Sequence, residues 1–319
     1  MDGFFDKYGR VIIIAVAVCF VLLFLTPMRN VVGSSINGFA GNFANKVGES
    51  LGTVKMPDGS DKVAKEKSSM IIGTVFQDNE DNNTVPQFGD SIPVSATSVV
   101  FTDEIAPKGV STTNLTVAKD GDVVGWLDGT TWKVSTQDPN KAVTLNENCL
   151  CMFYNKAKLI NIVFNNVDTS SVIEMGYMFM NCSNLVNLDL SSFNTSNITN
   201  MDQMFYGCSS LKNINLSSFD TSNVKSMTHT FSKCSSLTSL DLSNFNTSNL
   251  TEMNLTFMNC TNLVSLDLSS FDTSKVTDMN GMFEGCSSLK TVKARSQTDI
   301  DKLKTKNTEV NSSVKFEIA

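Results

Sequence analysis

The 319-residue chain has one histidine, His229, and only two tryptophans. A single imidazole excludes a histidine-based triad, a multi-histidine metal centre and a pH switch built from a histidine cluster. Charge is sparse at 18% of residues, and 25 Lys and Arg stand against 32 Asp and Glu, a net charge of −7. Gripping a phosphate backbone needs a basic face, so nucleic acid is excluded as a default partner. The chain also lacks the Gly-rich nonapeptides of calcium β-rolls and the spacing of an EF-hand loop. It lacks an LPxTG-type wall-sorting motif with a hydrophobic tail. Neither metal nor cofactor is expected. Ser, Thr and Asn fill the sequence around a 41% hydrophobic content, which is neither disordered nor fibrous, and the length suggests about two domains.

One long apolar run is present, Val11 to Leu25, extended by Thr26-Pro27-Met28. Roughly 20 residues cross a bilayer, against about 7–15 in a signal-peptide core. Small-x-small cleavage candidates are distant or poor. Beyond the run, Val32, Ile36, Phe39, Phe43, Val47 and Leu51 recur at three- and four-residue steps, as on an apolar helical face. These features predict a cytoplasmic N-terminus at 1–10, a single-pass transmembrane signal-anchor at 11–28 in contact with the lipid bilayer, and an amphipathic helical stalk at 29–52. Secretion after signal cleavage is the alternative. Cys19, followed by six apolar residues, reads as a buried cysteine rather than a lipobox.

Residues 53–70 are polar and charged and read as a linker. From 71 to 148 short β-prone runs predict a β-rich capping segment. Ser98 to Thr102 is one strand; Asp122 to Leu127 and Thr131 to Val134 flank Asp128-Gly129 as a hairpin. Trp126 and Trp132 are expected to cover the end of the following core rather than to stack on a sugar.

The dominant signal is a period of 26. Cys182, Cys208, Cys234, Cys260 and Cys286 keep it, as do Met175 to Met279, Phe179 to Phe283 and Leu185 to Leu289. An imperfect first coil holds Lys156 in the cysteine position. In one unit, Leu185-x-x-Leu188-x-Leu190 alternates as a short strand, while Met201, Met204, Phe205 and Cys208 fall at i, i+3, i+4 and i+7, one face of a helical turn. Neither piece buries its apolar side alone, so the units stack as a solenoid. The predicted class is an α+β repeat solenoid of leucine-rich type, 26-residue coils over 149–292, with a β-rich N-terminal cap, a C-terminal cap at 293–319 and a preceding transmembrane helix.

The pattern LxxLxLSxFxTSxVxxMxxMFxxCxxL, as in Leu237 to Leu263, resembles the BspA-like leucine-rich-repeat proteins of bacterial surfaces. The resemblance implies a non-enzymatic extracellular interaction protein, with some relatives acting as adhesins, and carries over no catalytic residue and no ligand. From the residues themselves, the cysteine column is expected to be free thiols packed as small apolar groups, with Cys149 and Cys151 packed likewise. The Asp and Asn ladders are expected to cap turns. His229 is read as a solvent-facing helix position.

The expected function is binding of an extracellular protein or glycan by a protein of the bacterial cell membrane. The candidate face is the strand side: Asn187, Asp189 and Ser191; Asn213, Asn215 and Ser217; Ser239, Asp241 and Ser243; Ser265, Asp267 and Ser269. The alternative is a structural spacer or assembly subunit that self-associates through its N-terminal helix.

Overall fold

Leucines two apart on an extended backbone, returning every 26 residues, set one side of the architecture. The computed structural model describes residues 88–116 and 122–319. A one-turn helix, α1 (Phe88–Ser91), precedes strands β1 (Ser98–Phe101), β2 (Thr112–Asn114), β3 (Val124–Asp128) and β4 (Thr131–Ser135). β3 and β4 pair antiparallel around Gly129-Thr130, with Gly129 at φ +61°, a left-handed turn position that glycine occupies without a Cβ penalty. β1 lies parallel between β4 and β6 (Asn161–Phe164), the first strand of the repeat. β5 (Val143–Thr144) pairs with β7 (Val167–Asp168) on a different side of the coil.

From β6 the ladder adds one parallel strand per coil, β8 (Asn187–Asp189) and then β9 (Asn213–Asn215), with Asn161, Asn187 and Asn213 as successive partners. This sheet has the order β2-β3-β4-β1-β6-β8-β9. A second sheet holds β10 (Ser265–Leu268), β11 (Thr291–Ala294) and β12 (Lys315–Ile318), all parallel. The intervening coil, Leu237 to Leu242, contributes no strand, so the ladder is interrupted there.

The other limb of each coil corrects the sequence expectation. No α-helix lies in the repeats; the run from Met201 to Leu211 is a chain of tight turns. Met204, Tyr206 and Cys208 donate their N–H groups to the carbonyls of Met201, Gln203 and Phe205, three residues back. Met201, Gln203, Phe205 and Gly207 donate instead to Ser226, Thr228, Thr230 and Ser232 of the next coil, at 2.9–3.0 Å. Alternate amides are thus satisfied within a coil and between coils, which accounts for a backbone that would otherwise be buried unpaired. Two residues per coil, four apart, take left-handed φ: Tyr177 and Asn181, Gln203 and Gly207, His229 and Lys233, Leu255 and Asn259, Gly281 and Gly285. That alternation forbids a continuous right-handed helix yet returns Met201, Met204, Phe205 and Cys208 to the inside. The apolar spacing is therefore the same as a helix would show.

The expected transmembrane helix is also corrected. No helix among the described residues is long and apolar enough to cross a membrane, and the described chain is sheets and turns with two helices, α1 and α2 (Gln297–Lys306). The segments expected as anchor (11–28), stalk (29–52) and linker (53–70) lie outside the described residues.

Two features bind coil to coil inside. Phe153, Phe179, Phe205, Phe231, Phe257 and Phe283 form one column of stacked rings, centroids 5.4–6.4 Å apart and within 15° of parallel. Buried threonines form a second rail. The Thr195 hydroxyl donates to the Asp220 carbonyl (3.2 Å) and accepts the Asp220 N–H (2.7 Å), and Thr169, Thr221 and Thr247 repeat this with Asn194, Asn246 and Asp272.

The C-terminal cap replaces the missing next coil with side chains. The Thr273 hydroxyl donates to Asp299 Oδ1 at 2.6 Å. The Lys302 ammonium donates to the carbonyls of Thr273 and Val276, and Asn307 Oδ1 accepts the Met282 N–H at 2.6 Å. α2 starts at the N-cap Ser296, whose hydroxyl accepts the Asp299 N–H.

Candidate functional site

The strand side exposes the predicted polar residues. Asn187, Asp189, Ser191, Asn213, Asn215, Ser217, Ser239, Asp241, Ser243, Ser265 and Asp267 are exposed, and Ser269 is half-buried. β8 and β9 bring the first group together, and Asn213 Nδ2 donates to Asn187 Oδ1 at 2.8 Å. Asn161, Asn187, Asp189, Ser191, Asn213 and Asn215 rim a depression of about 540 Å³ floored by the edges of β6, β8 and β9. Ser239, Asp241 and Ser243 stand on the coil without a strand, so the structure divides the predicted face instead of presenting one continuous ladder.

Each second-position Asp or Asn closes a turn. Asp189, Asn215, Asp241 and Asp267 accept the N–H of Ser191, Ser217, Ser243 and Ser269 through Oδ1. Hydrogen bonds from Ser191 and Ser243, backbone first, hold the Asp189 and Asp241 carboxyls below the usual carboxylate range. The side chain and then the backbone of Ser269 do the same for Asp267. The face is therefore anionic at neutral pH, and suits neutral or cationic groups that donate hydrogen bonds. No group of His, Cys, Asp and Glu among the described residues could hold a metal ion.

The cysteines of the described residues are free and buried. Cys182, Cys208, Cys234, Cys260 and Cys286 share a feature that packing logic missed: each Sγ donates to the carbonyl of a phenylalanine in the preceding coil, Phe153 through Phe257, at 3.0–3.1 Å. Burial pushes the Cys182 thiol up to about 12 and Cys286 to about 11, and Cys149 and Cys151 to about 12. A thiol held protonated is neither nucleophile nor metal ligand. Trp126 and Trp132 are buried as well, so neither ring is open to a sugar.

The turn side carries what sequence reasoning passed over. His229 is a half-buried residue at φ +56°, not a helix position. Its column contains Tyr177, Gln203, Leu255 and Gly281 in neighbouring coils. Gln203 Nε2 donates to the Tyr177 hydroxyl at 3.1 Å. The His229 ring meets Tyr206 edge-on at 5.7 Å, and the Lys233 ammonium lies 4.7 Å from the centre of the Tyr206 ring. His229 Nδ1 is buried without a hydrogen-bond partner, and burial, with the charge of Lys233, lowers the pKa of the ring. The Asn or Gly before each repeat cysteine except Cys234 was the available signal, since those residues tolerate left-handed backbone. At Gly207 and Gly285 the missing Cβ leaves room for the Asn181 or Asn259 side chain leaning over from the preceding coil.

A family profile described as "Mycoplasma protein of unknown function, DUF285" matches the chain twice, at residues 133–239 and 212–318. The two matches overlap, and together they cover more than half of the chain. No curated protein matches it, and no solved structure does.

Proposed function

We propose, from the premise that this chain belongs to the DUF285 family, that it is a bacterial surface protein whose repeats bind an extracellular macromolecule. The reading treats it as a binding protein, not an enzyme. The observation that carries it is the division of labour within each coil. Stacked phenyl rings, thiols and threonine hydroxyls hold the coils together from within, leaving outward side chains free to differ from coil to coil. The strand side uses that freedom to line its 540 Å³ depression with amides and a carboxylate. The resemblance of LxxLxLSxFxTSxVxxMxxMFxxCxxL to BspA-like repeats supports the same assignment to the cell exterior.

The strand-side rim is poor in the aromatic and Arg residues that dominate tight interfaces, so affinity comes from several weak contacts made together. The test is a full-length chain immobilised on a biosensor and presented with a glycan array and a panel of extracellular proteins. Binding is expected to fall at least tenfold in the triple variant Asn187→Ala, Asp189→Ala, Asn213→Ala, with its circular dichroism and melting compared with wild type because Asp189 closes a turn and Asn213 bonds Asn187. Binding that the triple variant leaves unchanged, or none to any member of either panel, contradicts the proposal.

A further inference from the structure

Trp132 and Val134 of β4 belong to the core. Alternation therefore turns Lys133 and Ser135 outward, together with their β3 partners Trp126 and Val124. The same outward row runs through Val100 of β1 to Val163 of β6, which lines the strand-side depression. Farther along that face the outward residues are exposed, yet Val124, Trp126 and Ser135 are buried. The cover is the connection from β1 to β2. The sheet order β2-β3-β4-β1 makes residues 102–111 cross β4 and β3, and three bonds fix the crossing on the outward side. The Ser135 hydroxyl donates to the Glu104 carbonyl at 2.6 Å, the Lys133 ammonium reaches the Glu104 carboxylate at 2.7 Å, and the Ala106 N–H donates to Gln137 Oε1 at 2.8 Å. This strap buries little of itself. From Asp103 to Ser111 every residue is exposed except half-buried Ala106, and Ile105 and Val110 show their apolar side chains to solvent. Exposed ion pairs add little stability, and segments with few buried contacts open first.

We propose that residues 103–110 are a displaceable cover, and that lifting them adds the Trp126 indole to the strand-side depression as a stacking platform for a neutral oligosaccharide. The inference rests on the strand-side binding function proposed above and names its ligand class. With the strap lifted, one flat ring is followed along the sheet by half-buried Val100 and Val163, then by the amides of Asn161, Asn187 and Asn213. A pyranose carries C–H groups on its faces and hydroxyls on its edges. It therefore stacks on the indole and exchanges hydrogen bonds with the amides. The Asp189 carboxylate accepts hydroxyl donors and repels acidic sugars. From β3 to β9 the sheet crosses six strands, roughly 24 Å at about 4.8 Å per strand, which suits an extended oligomer rather than one sugar. The cover also sets the affinity, because a site open in only a fraction of molecules binds more weakly by that fraction.

Glu104→Gln and Gln137→Asn, combined in one full-length chain, loosen the strap. The first removes the charge paired with Lys133; the second keeps a residue that tolerates the left-handed backbone of position 137 but is too short to reach the Ala106 N–H. Acrylamide quenching of tryptophan fluorescence is expected to rise at least twofold in this double variant, and the rise should vanish when Trp126→Leu is added. Trp126→Leu keeps an apolar residue beneath the strap without a stacking plane, and circular dichroism checks its fold. The probe is the hexamer of N-acetylglucosamine. It should bind the loosened variant at least threefold more tightly than wild type and shield Trp126 from acrylamide, and Trp126→Leu should weaken that binding at least tenfold. Quenching that loosening leaves unchanged overturns the cover. Failure of the hexamer to bind, or equal binding by Trp126→Leu, overturns the saccharide assignment. An extracellular protein that binds regardless of Trp126→Leu but is lost in the Asn187, Asp189 and Asn213 triple variant overturns this inference while the proposed binding function stands.

Discussion

Phe231→Ala is expected to cost about 3–5 kcal/mol of stability, the usual range for deleting a buried phenyl ring. The Phe231 ring is fully buried and stacks on Phe205 at 5.4 Å and on Phe257 at 5.8 Å, so its removal opens a cavity bounded by two neighbouring coils. Those coils cannot collapse into it, because the turn-side ladder fixes their spacing through Met227 to Glu252 and Phe205 to Thr230 hydrogen bonds at 2.9 Å. Phe231→Leu, which keeps much of the volume, should cost under about 1.5 kcal/mol. Urea denaturation followed by circular dichroism checks both values. Equal losses for the two variants would show that the column is not packed as described.

The second large effect is expected at the C-terminal cap. Asp299→Ala should destabilise the chain by about 2–4 kcal/mol, because it strands the buried Thr273 hydroxyl and N–H at the end of the threonine rail and leaves Arg295 with Asp272 as its one carboxylate partner among the described residues. Burial would raise the Asp299 pKa, but donors from Ser296, Thr273 and Arg295 outweigh it, and the carboxyl lies below its ordinary value. The sign follows: its contribution is complete above the unfolded-state pKa of about 4 and is lost as pH falls below that toward the lowered folded value. The stability gap between wild type and Asp299→Ala should therefore be constant near neutrality and narrow in acid. A gap that widens as pH drops would contradict the assignment.

Repetition made much of the architecture legible. Five cysteines and five phenylalanines 26 residues apart can only be an array, and Leu188-x-Leu190 read correctly as a strand because alternation has no other simple origin. The hairpin was readable from Asp128-Gly129 between β-prone runs. The turn limb was not. Met201, Met204, Phe205 and Cys208 keep a helical spacing because two tight turns return the chain to the same side as often as one helical turn does. The decisive evidence lay in Asn181, Gly207, Asn259 and Gly285, whose recurrence every coil marks a left-handed position, while Lys233 hides the pattern by taking the same φ of about +60° as a residue that rarely does.

The candidate surface was legible by polarity alone. Asn187, Asp189 and Asn213 were found because alternation along a strand turns the neighbours of an inward Leu188 or Ile214 outward. The loss of the ladder at Ser239 to Asp241 had no such signature: that coil keeps Leu237, Leu240 and Leu242, and nothing in its pattern separates it from its neighbours. The column of Tyr177, Gln203, His229 and Leu255 was read as solvent-facing helix because it varies from coil to coil, but its left-handed backbone and half-burial leave no trace in such variation. The C-terminal substitution of Asp299, Lys302 and Asn307 for an absent coil is a relation between distant residues, which no local pattern announces.

The central claim is that consecutive coils are joined on the turn side by backbone hydrogen bonds, not packed as separate helices. Scalar coupling measured across the hydrogen bond from the Gln203 amide nitrogen is the most direct test. The structure predicts coupling to the carbonyl carbon of Thr228, 25 residues ahead. Coupling to the carbonyl of Thr199, four residues behind as an α-helix requires, would contradict it.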